Sequence, residues 1–356
     1  MPQNLRRITL SDLARALGVE GAGDLSIAVV RAAHPAEAGP EDLAVAASPS
    51  YAEALKGGGA RAALLWPGAD WRALGLEAAL FAPRPRYAMA ALTQTFQHPP
   101  HAPEGVHPSA VVDPSASIGP GASIGPFVWI GPGARIGARA RILAHASVGA
   151  DARIGDDALL HAGVRVGERV RIGDRFIAQP NAVIGGDGFS FVTPEKGAVE
   201  SARQTGAVAA DALNTHHARI HSLGAVRIGD DVEIGAGSTV DRGTLTDTRI
   251  GSGTKIDNLV QIGHNVEIGE NCLLCAQVGV AGSARIGDRA VLGGKVGVAD
   301  HVRVGHDAVV AASSGVGSNV PPRAVVIGSP AIARDEWMRM MMAMRRLPRL
   351  IGRLGK

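Results

Sequence analysis

Aliphatic residues recur every six positions through most of this chain, and this period constrains the fold more than any other feature. One register begins at Ile118, and eleven of its twelve positions hold Ile, Val or Leu. A second register begins at Ile250 and is aliphatic at all twelve positions. A short run at Ile228, Ile234 and Val240 lies between them and joins the second register by a ten-residue step. The chain is therefore built mainly of hexads.

A period of six fits neither the 3.6-residue repeat of a helix nor the two-residue repeat of a strand. It predicts a coil of very short strands, each of which sends one aliphatic side chain inward before a corner. Three hexads close one triangular turn of about 18 residues. The low aromatic content of 3% suits so narrow an interior. The prediction is a parallel β-helix of hexapeptide repeats, which is left-handed by its resemblance to other hexapeptide-repeat proteins.

The N-terminal segment, residues 1–104, lacks this repeat. Ser11 is a candidate N-cap for a helix that runs to Leu17. Residues 60–66 are predicted to form a buried strand and residues 88–96 a second helix. We therefore expect a small N-terminal α/β domain.

The predicted β-helix domain covers residues 105–330. A polar excursion, residues 186–225, interrupts the coil, and the hexads end near Pro330. The remaining residues, 331–356, are rich in Met and Arg, and residues 335–347 are predicted to be helical. We expect a C-terminal helical arm.

Composition argues against several classes of protein. The 36 Lys and Arg against 33 Asp and Glu leave a formal charge of only +3, which disfavours broad nucleic-acid binding. No window approaches the ~20 apolar residues of a membrane span, and the N-terminus does not resemble a secretory signal. Two cysteines cannot form a disulfide framework. We expect a cytoplasmic protein.

One histidine stands out by its place in the repeat. His264 follows the inward Ile262 by two positions, so it should face outward at a corner of the coil. Gly282 follows three hexads later, which is one full turn along, over the same corner. An imidazole can take a proton from an attacking amine or hydroxyl, and a glycine N–H can bind the oxyanion of a tetrahedral intermediate. The pair predicts acyl transfer.

Two alternatives from other classes remain open. Trimeric β-helix carbonic anhydrases bind zinc through three histidines, and His301 and His306 follow His264 by slightly more than two turns. Two full turns from His264 lead to Asp300, so His301 is one position further round the corner than that arrangement needs.

Cys272 and Cys275 have C-x-x-C spacing without a second pair, so they are predicted to pack rather than bind metal. A non-catalytic scaffold is the other alternative.

Three motifs resemble those of a known family. They are Gly186-Asp187-Gly188-Phe189 in the coil, Val240-Asp241-Arg242-Gly243 at the ten-residue step, and Ile256-Asp257-Asn258 followed by His264-Asn265. With the N-terminal domain and the C-terminal helix, they resemble the UDP-3-O-acylglucosamine N-acyltransferases of lipid A biosynthesis. The resemblance covers nearly the whole chain.

The resemblance implies transfer of a 3-hydroxyacyl chain from acyl carrier protein to the 2-amino group of a UDP-linked 3-O-acylglucosamine. His264 would be the general base and Gly282 N–H the oxyanion donor. Asp257 and Asn258 would line the same cleft and position the acyl-phosphopantetheine arm. His301 would contact the nucleotide-sugar phosphates or assist the base. No metal or bound cofactor is implied, because acyl-phosphopantetheine is the donor.

The resemblance also implies how the nucleotide is held. Ser48-Pro49-Ser50-Tyr51 is similar to the family's Asn-Pro-x-Tyr, which makes Tyr51 a candidate uracil contact. Ser48 replaces the usual Asn, and Val45 stands where an aromatic partner is usual. Small residues late in the coil, such as Gly315, suggest room for a long acyl chain.

The implied assembly is a cytoplasmic homotrimer of a Gram-negative bacterium, with active sites between neighbouring coils. The basic C-terminal arm suits packing against trimer mates, an acidic acyl carrier protein, or peripheral attachment to a membrane surface. The competing activities are UDP-N-acetylglucosamine O-acyltransfer, other sugar acyltransfer on the same fold, and zinc-dependent hydration.

Overall fold

The computed structural model describes residues 7–212, 214–328 and 331–354. The chain divides into two compact units, Met1–His101 and Ala102–Lys356. No helix in these described ranges is long and apolar enough to cross a bilayer.

The first helix of the N-terminal unit is Leu10–Leu17. Thr9 caps it, because its Oγ1 accepts a hydrogen bond from the N–H of Asp12 at 3.2 Å. The prediction that Ser11 is the cap was wrong, since the cap lies two positions earlier. Gly18 ends the helix in the left-handed conformation, with φ of 63°, which a glycine adopts without a Cβ clash.

A mixed five-stranded sheet forms the centre of this unit. In spatial order its strands are Glu20–Gly23, Ala78–Phe81, Ala62–Leu65, Asp42–Ala46 and Arg31–Ala33. A separate antiparallel pair joins Ile8–Thr9 to Ala28–Val29. The other helices are Pro85–Phe96, Ala52–Leu55 and the 3-10 turn Pro49–Tyr51. The strand and the helix predicted at 60–66 and 88–96 lie where expected.

The second unit is a coil whose successive strands belong in turn to three parallel sheets, which we name I, II and III. Sheet I contains Ser117–Ile118, Arg135–Ile136, Arg153–Ile154, Arg171–Ile172, Val226–Ile228, Thr248–Ile250, Glu267–Ile268, Arg285–Ile286 and Arg303–Val304. Sheet II contains Gly105–Val106, Ser123–Ile124, Arg141–Ile142, Leu159–Leu160, Ile177–Ala178, Glu233–Ile234, Lys255–Ile256, Leu273–Leu274, Val291–Leu292, Val309–Val310 and Val325–Val326. Sheet III contains Val111–Val112, Trp129–Ile130, Ser147–Val148, Arg165–Val166, Val183–Gly186, Thr239–Asp241, Gln261–Ile262, Gly279–Val280, Gly297–Val298 and Gly315–Val316.

Within each uninterrupted run, a strand pairs with the strand three hexads later, as Ile262 does with Val280. The predicted fold class, a parallel β-helix of hexapeptide repeats, is confirmed. The inward positions of the hexads are buried, but a second residue, two positions before each, is buried as well. It is usually Ala or Val, and Phe176 and Cys272 occupy it in two hexads. The repeat of large aliphatic residues did not reveal this second position.

The Cys272 thiol is fully buried in the core, and this burial raises its pKa. This position agrees with the predicted packing role.

Both insertions leave the coil at the same corner, between sheets III and I. The first was predicted at 186–225 but begins at 187, because Gly186 ends the strand Val183–Gly186. Residues 187–225 are hereafter the excursion, which contains the helix Ala198–Thr205 and the hairpin Phe191–Val192 with Ala218–Arg219. The second insertion is the loop 242–247, which lies within the ten-residue step from Val240 to Ile250. The strands before and after each insertion still pair in register at the inward positions, as Ile184 does with Val240. The corner therefore gains loops without disturbing the core.

The outer faces of the three sheets differ in chemistry. Sheet I presents arginine on seven of its nine strands, at Arg135, Arg153, Arg171, Arg227, Arg249, Arg285 and Arg303. Sheet II ends in an aliphatic column of Leu273, Val291, Val309 and Val325. Sheet III ends in a column of three glycines, Gly279, Gly297 and Gly315. The helix Arg334–Leu354 follows the coil.

Candidate active site

His264 lies at the corner between sheets III and I, directly after the strand Gln261–Ile262. Successive turns stack Gly282 and Asp300 over it, because each is one turn further along the unbroken register. The neighbouring column holds Asn265, Ser283 and His301, each with φ near +60°. The predicted pairing of His264 with Gly282 is therefore present, with His301 one position further round.

The side chain of Asn265 favours one tautomer of the His264 ring. Its Nδ2 donates to the carbonyl of Thr246 at 3.0 Å, and its Oδ1 accepts from the N–H of Thr244 at 3.0 Å. The backbone thus sets the orientation of the amide, so its acceptor Oδ1 faces Nδ1 of His264 at 3.0 Å, and the Thr244 hydroxyl lies further away at 3.5 Å. The closer acceptor favours the neutral imidazole that carries its proton on Nδ1, which leaves the lone pair of Nε2 free.

Two glycines flank the imidazole. A Cβ on Gly282 would lie 2.8 Å from both Cε1 and Nε2 of His264. A Cβ on Gly188, from the excursion, would lie 2.8 Å from the Cβ of His264 and 3.2 Å from its Cγ and Cδ2. Since real Cβ contacts are essentially never under 3.0 Å, only glycine fits at either position without a shift. The free Nε2 therefore lies beside the backbone of Gly282.

The backbone N–H of Gly282 is available to a ligand. Among the described residues, none accepts a hydrogen bond from it. The carbonyl of the same residue accepts from the N–H of His301 at 3.2 Å, which fixes the peptide. An unpaired, rigidly held N–H next to a free imidazole nitrogen is the arrangement that acyl transfer needs.

Asp241 adds a half-buried carboxyl group to this region. It ends the sheet III strand one turn before His264, and Gln261 Nε2 donates to its Oδ2 at 2.9 Å. Burial raises the pKa of the Asp241 carboxyl, and the hydrogen bond from Gln261 acts in the opposite direction. The sequence motif contained Asp241, but no role was predicted for it.

His301 lines a polar cavity of about 330 Å³ beside the corner. Arg285 and Arg303 reach the cavity from sheet I, and Asn265 and Ser283 line it from the corner. Glu267 lies 3.4 Å from Arg285 and offsets part of the positive charge. Two arginines, a histidine and small polar side chains form surroundings suited to an anion.

Asp257 and Asn258 lie at a different corner, between sheets II and III. They line a cavity of about 620 Å³ together with Lys255 and Cys275. Asn258 Oδ1 accepts from the N–H of Ala236 at 2.6 Å. Within one chain, a strand of sheet III separates these residues from His264, so the fold of a single coil does not bring them together.

Tyr51 belongs to the N-terminal unit, in the turn Pro49–Tyr51, and is 41% exposed. The ring of His34 meets it edge-on, with 6.0 Å between centroids. Val45 is partly buried against the hydrophobic core of this unit. Ser48 and Ser50 hydrogen-bond through their hydroxyl groups at 2.6 Å.

The histidines considered for zinc are separated by the fold. His306 lies at the corner between sheets I and II, where its Nδ1 is 2.8 Å from Asp307. His264 and His301 lie at the corner between sheets III and I. In the part of the chain that the structure describes, no group of three His, Cys, Asp or Glu residues could hold a metal ion.

The sequence did not reveal what holds His264 in place. Asn265 and Gly188 belong to motifs named in the sequence analysis, but the sequence did not predict that either residue lies against the His264 ring. Gly188 is distant from His264 along the chain, and no hexad register runs through the excursion. The stacking of Asn265 below Ser283 and His301 could have been read from the spacing of one turn.

Comparisons with known proteins agree with the coil. The family model described as bacterial transferase hexapeptide (six repeats) matches residues 247–282. The model for the hexapeptide repeat of succinyl-transferase matches residues 225–258 and 283–316, and that for the GMPPB C-terminal domain matches residues 106–188. Among solved structures, an Arabidopsis UDP-N-acetylglucosamine acyltransferase is similar in fold, with a TM-score of 0.52 and 24% identity over 63% of this chain and 71% of that one.

Curated relatives extend over nearly the whole chain. The UDP-3-O-acylglucosamine N-acyltransferase of Ruegeria pomeroyi is 61% identical over 343 residues, which cover 96% of this chain and 94% of that protein. Its counterparts in Paracoccus denitrificans and Pseudomonas aeruginosa are 62% and 40% identical, over 78% and 77% of this chain and 75% and 72% of theirs. An enzyme of the transferase class is thereby indicated, and the chain belongs to the UDP-3-O-acylglucosamine N-acyltransferase family.

Proposed function

We propose that this protein transfers a 3-hydroxyacyl chain from acyl carrier protein to the 2-amino group of a UDP-3-O-acylglucosamine, with His264 as general base. One observation carries the mechanism: Nδ1 of His264 lies 3.0 Å from the acceptor Oδ1 of Asn265, which favours an unprotonated Nε2 beside Gly282. The names of the relatives supply the acceptor.

The reaction follows from these groups. Nε2 of His264 takes a proton from the glucosamine amine as the nitrogen attacks the thioester carbonyl. The carbonyl oxygen becomes an oxyanion, which the N–H of Gly282 stabilises. The intermediate then collapses to the amide, and the phosphopantetheine thiol leaves with the proton that His264 returns. No step requires a metal or a bound cofactor.

The cavity beside His301 is the proposed site for the acceptor's diphosphate. Arg285 and Arg303 add permanent positive charge for a diphosphate, which His301 alone would not supply. Asn265 lines this cavity and also contacts His264, so the cavity adjoins the catalytic corner. A His301→Ala variant should therefore weaken binding of the UDP-sugar more than it slows the chemical step. Uracil binding is assigned to Tyr51 on the basis of family resemblance.

A neighbouring copy of the chain is needed for the residues at the other corner to act. Asp257 and Asn258 can face His264 only across a boundary between coils. The aliphatic column of sheet II favours such a boundary, because Leu273 and Val325 are 48% and 77% exposed in a single chain. We assign a homotrimer, and the basic helix Arg334–Leu354 either packs within it, binds the acidic carrier protein or contacts a membrane surface.

The glycine column of sheet III suits a long acyl chain. Nothing lies within 4 Å of a Cβ placed on Gly279, Gly297 or Gly315, so this strip is bare backbone. A thin apolar chain could lie along it for three rungs above the catalytic corner. This assignment fails if a C10 donor outcompetes donors of C14 and longer.

Single-turnover transfer from 3-hydroxyacyl carrier protein to UDP-3-O-acylglucosamine tests the mechanism. His264→Ala should slow the chemical step by ~10²-fold or more, with binding of the acceptor intact. His306→Ala is the matched control, because it removes an imidazole from a corner of the same coil, and it should retain the wild-type rate. Wild-type activity in His264→Ala would exclude the base assignment.

A further inference from the structure

We propose that the excursion, residues 187–225, is a positioning element that holds the His264 imidazole in its reactive orientation, with Gly188 as the contact residue. This inference rests on the proposed role of His264 as base. It gives a role to a segment that the hexapeptide repeat does not explain.

The contact leaves no room for a side chain. A Cβ on Gly188 would lie 2.8 Å from the Cβ of His264 and 3.2 Å from its Cγ and Cδ2, and a Cβ on Gly282 would lie 2.8 Å from Cε1 and Nε2. The ring therefore keeps its place only while both positions are glycine. Rotation about its side-chain bonds would also break the 3.0 Å hydrogen bond between Nδ1 and Asn265. Three contacts thus define a single orientation of the ring.

The excursion is anchored on both sides of this contact. The N–H of Gly188 donates to the hydroxyl of Ser222 at 3.0 Å, which ties the start of the excursion to its end. Arg203, in the excursion helix, pairs with Asp300 at 2.9 Å. Asp300 lies two turns after His264 in the same column. The excursion therefore runs along the corner past the reacting group and is fixed beyond it.

The chemical consequence concerns the tautomer. A side chain at position 188 would displace the ring and disturb the alignment of Nδ1 with the Asn265 acceptor that holds its proton. The Nε2–H form, which cannot act as a base, would then become populated. Displacements of about 1 Å in such sites cost on the order of 10²-fold in rate.

A matched pair of alanine variants tests the proposal. Gly188→Ala introduces the clash, whereas Gly186→Ala does not, because a Cβ there meets only Val183 Cγ1 at 3.9 Å. Ser222→Ala is a milder second variant, since it frees the N–H of Gly188 without adding atoms near the ring. Each full-length protein, labelled with ¹⁵N-histidine, is assayed by imidazole NMR and by single-turnover acyl transfer, with His264→Gln assigning the resonances.

The expected result is an Nδ1–H form of His264 in the wild type and in Gly186→Ala, and loss of that form in Gly188→Ala with a ~10- to 10²-fold slower chemical step. Ser222→Ala should show a smaller change in the same direction. Wild-type imidazole resonances in folded Gly188→Ala would overturn the inference. If those resonances change while His264→Ala remains active, the positioning role stands and the proposed base does not.

Discussion

Replacing Asn265 with alanine should disable the base without removing it. The change deletes the acceptor 3.0 Å from Nδ1 of His264, along with the contacts to Thr244 and Thr246. A hydrogen bond to a group that becomes charged during the reaction contributes about 1.5–3 kcal/mol. At about 1.4 kcal/mol per factor of ten, the chemical step should slow by roughly 10- to 10²-fold. We expect the affinity for the UDP-sugar to change little, because Asn265 is one of several groups around the phosphate cavity.

The control for this variant is Asn271→Ala. Asn271 has φ of 54°, close to the 61° of Asn265, but it lies at the corner between sheets I and II. Both variants therefore place alanine in the same left-handed backbone conformation. A thermal melt first confirms that both variants are folded. Single-turnover transfer at saturating acceptor is then measured on each, and the comparison separates loss of the hydrogen bond to His264 from the backbone strain of alanine in this conformation. An Asn265→Ala protein with the rate of Asn271→Ala would refute the claim that Asn265 sets the tautomer.

Two further predictions concern stability. Phe176→Ala should lower the free energy of unfolding by about 3–5 kcal/mol in urea titrations, because this ring is fully buried in the narrow coil. Phe189→Ala is the control: its ring is 86% exposed, so the free energy should change by less than about 0.5 kcal/mol. The hydrogen bonds from Arg31 lower the pKa of the Asp42 carboxyl in the folded protein. The stabilisation that this carboxylate gives is therefore complete above its unfolded pKa of about 4, and it is lost as the pH falls through the lower folded pKa. Urea unfolding at pH 7, 4 and 3 should show this decline for the N-terminal unit, and Asp42→Asn should flatten it; an unchanged slope would contradict the pairing.

The repeat predicted the coil because its signal is local. One aliphatic residue in six, sustained over two long registers, leaves little alternative to short strands that turn at fixed intervals. The same counting placed Gly282 over His264, since three hexads close one turn. The cap of the first helix was misplaced because Thr9 and Ser11 are both suitable residues, and only the backbone bond to Asp12 distinguishes them.

The six-residue period could not predict contacts that the insertions make with the coil. Gly188 reaches His264 because the excursion leaves and re-enters the coil at the corner where the ten-residue step does. No periodicity carries through such a loop, so no pattern in the sequence signalled the contact. Asp257 and Asn258 show the opposite case. The register places them at a neighbouring corner, so, contrary to expectation, they do not share a cleft with His264 within one chain.

The pairing of every strand with those one turn before and after it has a consequence for how the coil opens. Each turn of the coil, or rung, contacts only the turns before and after it. The coil therefore behaves almost as a one-dimensional stack, whose stability is the sum of the contributions of its turns and of the contacts between adjacent turns. Opening should proceed from the two ends of the coil, and amide hydrogen exchange should be fastest in the outermost turns. The rung of Gln261–Ile262 has three further sheet III strands on its C-terminal side and six on the other. Fraying at either end therefore leaves the strand just before His264 closed.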